Sequence, residues 1–203
     1  MTKTALITGG SRGIGAATAA LLRERGWDVF APSRAELDMG NSRLIESWMG
    51  DVEFDHLDAL IFCHGEWYSK PPVAQSWADY RAQYESRVIG PLCAMEFALP
   101  LMHDIGSVCM VSSTRGLIGG VDTGPYSLAC AAQIALVLGY AREWPGVCFH
   151  ALAVGLTDTD MGRQVIATGG AKPGSVPQPP GVVAAEIVRL VESGDNGRVM
   201  RVV

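Results

Sequence analysis

The run Thr8-Gly9-Gly10-Ser11-Arg12-Gly13-Ile14-Gly15 sets glycines at a GxxxGxG spacing beside a hydroxyl and a guanidinium. Glycine lets a backbone turn tightly and come close to a phosphate, and a helix starting there offers free N–H groups and a partial positive charge. The pattern points to grip on the diphosphate of a dinucleotide. Ser33-Arg34 bears on which dinucleotide. Sites that take an unphosphorylated ribose place a carboxylate near this position. Ser33 carries no charge, Arg34 can pair a 2′-phosphate bidentately, and Arg12 adds a second cation. Together they predict NADP(H). The competing readings are a glycine-rich turn that binds nothing and an Arg34 that is only solvated.

These residues need elements to hold them. Thr4 to Thr8 is a short apolar run, and Ala16 to Arg25 is alanine-rich with helical period, so the glycines join a strand to a helix. Further strands are expected at Asp28–Pro32, Ala59–Cys63, Ser107–Val111, Val147–Val154 and Arg198–Val203, and a short one at Ala35–Met39. Helices are expected at Ser42–Met49, Tyr126–Trp144 and Val182–Ser193. A long helical region runs from about Ser76 to His103, with Pro91 and Pro100 as kinks or breaks. His103 and Asp104 read as no more than its end. Residues 157–181, rich in Gly and Pro, read as a flexible substrate loop with at most short helical turns. Strands alternating with helices imply an α/β, Rossmann-type, doubly wound and mainly parallel sheet with helices on both faces, as one domain over residues 1–203.

Bulk properties agree. Of 203 residues 48% are apolar and 18% charged, which suits a buried parallel sheet. A net charge of −5 predicts no broad attraction to nucleic acid or anionic membrane. The five cysteines show no CxxC spacing and read as reduced thiols of a cytoplasmic protein, not as bridges or metal ligands. No signal peptide is read at the start, and no apolar run is read as long enough to cross a membrane.

TGGSRGIG resembles the cofactor fingerprint of the short-chain dehydrogenases/reductases, and the likeness continues in order along almost the whole chain. Ser113 precedes Tyr126 by the family's spacing. Val154-Gly155-Leu156-Thr157 through Met161 is similar to its PG-x-x-x-T segment, with Val for Pro. The region after the second strand is abbreviated. The resemblance implies that Thr8, Gly9, Ser11, Arg12, Gly13, Ile14 and Gly15 hold the diphosphate, that Ser33, Arg34 and Asp38 flank the adenosine, and that Cys63, Gly65, Gly155 and Thr157 line the rest of the cofactor path. His64, at the C-terminal end of a strand where such sheets bind ligands, either faces the cofactor or is a satisfied structural histidine. It implies Tyr126 as acid or base for a carbonyl/alcohol pair and Ser113 as anchor for the carbonyl oxygen. It also implies a homodimer or homotetramer, through the apolar helix from Tyr126 and the helix before it.

Two family positions differ. Cys130 stands where YxxxK requires lysine, and Arg87 stands at the asparagine position; of the NNAG segment only Gly65 survives in Phe62-Cys63-His64-Gly65. A free tyrosine titrates near ~10, so a nearby cation assists proton transfer at neutral pH. Three readings follow. Arg87 takes over the missing lysine's charge, with Cys130 vacating the space. Or the chain binds NADP(H) without efficient turnover, as a sensor or interaction protein. Or Cys130 is itself a nucleophile or redox thiol, although no histidine lies near it in sequence. The first is the main expectation: reversible reduction of a small carbonyl compound to an alcohol. Trp67 and Tyr68 either wall a substrate pocket or cap the core, and Arg115 either meets an anionic substrate or is a solvated loop charge. Asp158 and Asp160 alone make a poor metal site.

Overall fold

A computed structural model describes residues 2–52, 54–102 and 106–203. Its strands are β1 (Thr4–Thr8), β2 (Asp28–Phe30), β3 (Ala59–Phe62), β4 (Gly106–Ser113), β5 (Val147–Val154) and β6 (Arg198–Val202). They form one sheet in the order β2-β1-β3-β4-β5-β6, and every pairing is parallel. The chain winds outward in both directions from β1 and β3, which makes their C-terminal ends the topological switch point where such sheets bind ligands. The strands are almost continuously apolar because both faces are covered. On one face Leu6, Phe62, Met110 and Phe149 pack with Ile45, Met95 and Val137. On the other, Ile7, Ile61 and Leu152 pack with Leu22, Ile187 and Leu190.

The helices are α1 (Gly13–Glu24), α2 (Ser42–Asp51), α3 (Trp77–Tyr84), α4 (Gly90–Ala98), α5 (Arg115–Ile118), α6 (Gly124–Glu143), α7 (Asp160–Ala167) and α8 (Pro180–Ser193). Several expectations need correcting. Ala35–Met39 forms no strand: Asp38 accepts the Gly40 N–H and Arg34 Nε, which curls the segment and leaves β2 at the sheet edge. The long helical region is α3 and α4 joined by a π turn at Glu85–Ile89. Pro91 has no N–H to give to the carbonyl four residues back, and the π turn absorbs that loss. Its expected end at His103 and Asp104 lies outside the described residues.

The stretch at 157–181, expected to lack helix beyond a turn or so, holds α7. Thr159 caps it, accepting the Gly162 N–H at 3.1 Å, and Asp160 suits the first-turn dipole. Met161 and Val165, one turn apart, face inward. Helix α6 is long and apolar enough to cross a bilayer by length and composition alone, a test that a core helix also passes. Part of its apolarity is accounted for by burial of Tyr126, Ala129, Cys130, Ile134 and Val137 within the fold.

His150 sits mid-β5, fully buried, and neither ring nitrogen has a hydrogen-bond partner among the described residues. Burial pulls its pKa down to about 4, whereas an unfolded chain protonates histidine near ~6.5. The unfolded state therefore binds more protons between these values, and stability falls as pH drops from ~6.5 towards ~4. His150→Leu is expected to match or exceed wild-type stability at pH 7 and to lose less of it at pH 5; urea unfolding at both pH values checks this.

Candidate active site

A cavity of about 710 Å³ opens over the C-terminal ends of β1, β3, β4 and β5, within the usual size of a ligand site. The glycine turn forms its floor. Gly13 has φ +57°, and a Cβ on Gly15 would stand 2.3 Å from the Gly9 carbonyl oxygen, so only glycine packs there. Arg12 is the N-cap of α1 and its side chain caps nothing, which leaves the first amides of the helix facing outward. That is a cradle fitted to a diphosphate.

Where the segment after β2 lines the cavity, Arg34 Nε donates to Asp38 Oδ2 at 3.2 Å, and Arg34 Nη1 pairs with Glu66. Arg12 reaches Asp160 at the start of α7, 3.2 Å away. Both arginines are more than two-thirds exposed and line the same cavity.

His64 joins two parts of the site. Its Nε2 lies 2.8 Å from the Ser86 carbonyl oxygen and its Nδ1 2.6 Å from the Thr8 hydroxyl. A carbonyl only accepts, so Nε2 carries the proton and Nδ1 accepts from Thr8. Burial holds its pKa down at about 4, so the ring is neutral at pH 7. It thereby ties the end of β1 to the π turn that carries Arg87.

Further along the cavity, Tyr126 is buried in the first turn of α6, after Pro125 has set the helix start. The Arg87 guanidinium carbon lies 4.5 Å from the Tyr126 ring centroid, and the Trp67 ring meets that ring edge-on at 5.1 Å. Arg87 is itself buried: Nε donates to Gln83 Oε1 at 3.2 Å and Nη2 to the Glu66 carbonyl at 3.0 Å. Gly65 makes room for it, since a Cβ there would stand 2.4 Å from Nη2. Burial raises the Tyr126 pKa to about 12, and Cys130 adds to the rise; Arg87 and the Ser113 hydroxyl act in the opposite direction. The guanidinium thus works in the expected sense, yet desolvation outweighs it. Cys130 is fully buried and burial pushes its thiol pKa up, the reverse of what a nucleophile requires.

Helix α7 and the residues after it are tied across the cavity mouth. Trp67 Nε1 donates to the Thr168 hydroxyl at 2.8 Å, and Arg115 Nη2 to the Gly170 carbonyl at 2.6 Å. Arg163 takes up both Asp158 and Asp160, and no cluster able to hold a metal occurs among the described residues.

The fold brings Gly9, Ser11, Arg12, Gly13, Ile14, Arg34, Asp38, Cys63, His64, Gly65, Arg87, Ser113, Tyr126, Gly155 and Thr157 to one cavity. Three other expected residues sit behind its wall. Thr8 is buried and occupied with His64, Gly15 packs against Gly9, and the Ser33 N–H is turned to Glu36. Tyr68 also stays out, lying under Lys70. Sequence reasoning did not single out Glu66 or Gln83, and it took Thr159 only as part of the PG-x-x-x-T likeness. The Thr159 methyl would lie 3.1 Å from a Cβ on Gly13, so it packs against the phosphate turn. Its place at the end of the Gly155–Thr159 segment was the available signal.

Known proteins resemble this chain in sequence and in fold. Residues 32–174 match a family model described as enoyl-(acyl carrier protein) reductase. The 3-amino-tetrahydro-pyrrolizinone reductase of Xenorhabdus hominickii is 29% identical over 188 residues, covering 82% of this chain and 66% of that protein. The cis-4-hydroxycyclohexanecarboxylate dehydrogenase of Sinomonas cyclohexanicum is 30% identical over 186 residues, covering 78% of this chain and 75% of that one. The crystal structure of a small-chain dehydrogenase in complex with NADPH superposes with a TM-score of 0.88 at 19% identity, over 100% of this chain and 97% of the other, a likeness of fold. Because the family model spans most of the sequence and a relative shares 30% of its residues, the chain belongs to the short-chain dehydrogenase/reductase family of oxidoreductases.

Proposed function

We propose that this protein is an NADP(H)-dependent oxidoreductase that interconverts a small carbonyl compound and its alcohol. The observation that carries the reading is the buried guanidinium of Arg87 against the Tyr126 ring, with Cys130 leaving the lysine's place uncharged. A positive charge therefore stands beside the tyrosine although the family's usual source of it is gone. The uncapped start of α1 and the two cavity-lining arginines support a phosphorylated dinucleotide, as does the likeness of fold to a dehydrogenase whose structure holds NADPH.

Bound NADP(H) supplies or accepts the hydride. Ser113 offers its hydroxyl to the carbonyl oxygen, and Tyr126 donates the proton to that oxygen, or removes it in the reverse direction. Arg87 stabilises the tyrosinate and so brings Tyr126 nearer to neutral titration than burial alone would. Trp67 and the ties from Trp67 and Arg115 to residues 168–170 keep water away from the tyrosine. Titration with NADPH and NADH, followed by NADPH oxidation with a panel of aldehydes and ketones, tests the reading. Preferential NADPH binding with turnover is expected. NADPH binding with no turnover on any carbonyl would favour the sensor reading instead.

The five unpaired cysteines support a reducing, cytoplasmic setting. Leu128, Ala135 and Leu138 form an exposed apolar stripe along α6, which supports a homodimer or homotetramer. Light scattering coupled to size exclusion is expected to give a multiple of the 21.6 kDa chain; the mass of a single chain would count against it.

A further inference from the structure

The two arginines at opposite ends of the site share one neighbour. Glu66 follows β3, and its side chain pairs with Arg34 after β2, while its backbone carbonyl accepts from Arg87. Strands β2 and β3 flank β1, so the Glu66–Arg34 pair reaches across the strand whose turn forms the phosphate cradle. Arg34 has a carboxylate on each side, but the two are held differently. Asp38 is anchored through the Gly40 N–H at 2.9 Å. The Glu66 side chain is 58% exposed and has no hydrogen bond to a described residue other than its pairing with Arg34. Its backbone is fixed by Arg87, so only the side chain is free to swing.

We propose that Glu66 competes with a ribose 2′-phosphate for the Arg34 guanidinium, and so is a specificity-determining residue that sets how strongly the phosphorylated dinucleotide is preferred. The proposal rests on the NADP(H) reading above. A 2′-phosphate has to displace the carboxylate from Nη1, and a carboxylate that remains close repels it. An unphosphorylated ribose makes neither demand. The pair is exposed, so the handicap is modest: losing it should be worth about two- to fivefold in affinity.

Glu66→Gln keeps the side chain's size and removes its charge. NADPH and NADH are titrated into wild type, Glu66→Gln, Arg34→Ala and the double variant, with nucleotide fluorescence as the readout. Glu66→Gln should bind NADPH about two- to fivefold more tightly and NADH with little change, and this gain should vanish in the Arg34→Ala background. Unchanged NADPH affinity, equal tightening for both nucleotides, or a gain that persists without Arg34 would overturn the inference while leaving the NADP(H) reading intact. Wild type that binds neither nucleotide would overturn both.

Discussion

Arg87→Ala is expected to lower the rate of carbonyl reduction by about 10²–10³-fold, in the range that a positioned acid or base commands. The size follows from the balance at Tyr126. Burial already drives its pKa to about 12, and Arg87 is the charged group that opposes the rise. Without the guanidinium the tyrosine becomes a still weaker acid for reduction. In alcohol oxidation the tyrosine must lose its proton, so the rising limb of kcat/KM against pH should move to higher pH in the variant. A merely structural role would lower the amount of folded enzyme without moving that limb. Arg87→Lys guards against simple loss of folding, because it keeps a charge next to the Gln83 oxygen and the Glu66 carbonyl that Arg87 now bonds. It should recover part of the rate, though not the paired bonds of a planar guanidinium. Equal rates in wild type and Arg87→Ala would sink the proposed role.

Gly90→Ala should destabilise the protein by about 2–3 kcal/mol and lower Tm by ~5–10 °C. Gly90 lies in the first turn of α4, where alanine alone would favour the helix by up to ~1 kcal/mol. Packing reverses that preference. A Cβ at this position would stand 1.9 Å from the Met39 carbonyl oxygen and 2.9 Å from its carbon, both backbone atoms that no side-chain rotation can move. Met39 and Leu37 are buried in the core, so the segment that carries Arg34 and Asp38 has to shift with them. Urea unfolding with an unchanged m-value and a lower midpoint checks the prediction; an equal or higher midpoint would contradict it. Looser NADPH binding should accompany the loss, because the arginine of the adenosine side rides on that segment.

The parts of the fold that the sequence made readable are those set by local chemistry. Strand β1, the glycine turn and α1 follow from an apolar run, glycines and an alanine-rich period, β3 from an unbroken apolar run, and β5 from one interrupted by His150 alone. The failures come from contacts between distant residues or from caps inside a weak pattern. Ala35–Met39 looked like a strand because it alternates, but Asp38 spends its oxygens on Arg34 and Gly40. Helix α7 was hidden by the surrounding Gly and Pro, although Thr159-Asp160 is a serviceable helix start. The candidate site shows the same division. Ser113 and Tyr126 could be singled out by their spacing, and the fold brings them to one cavity, whereas Glu66 was invisible because its contacts are with two arginines, 32 positions before it and 21 after it in the chain. The π turn that aims Arg87 inward could not be read either, since no residue type marks it apart from the proline that follows.

An arginine beside the tyrosine differs from a lysine in a further respect. An ammonium titrates near ~10.4 and reacts with amine-directed reagents, whereas a guanidinium keeps its charge at any pH a protein survives. The chain has three lysines, Lys3, Lys70 and Lys172, and among the described residues the cation found over the Tyr126 ring is Arg87. Acetylation of every amine, which removes ammonium charge, would therefore leave the positive charge beside the phenol in place. Alkaline solutions that discharge ammonium groups would likewise leave that cation in place.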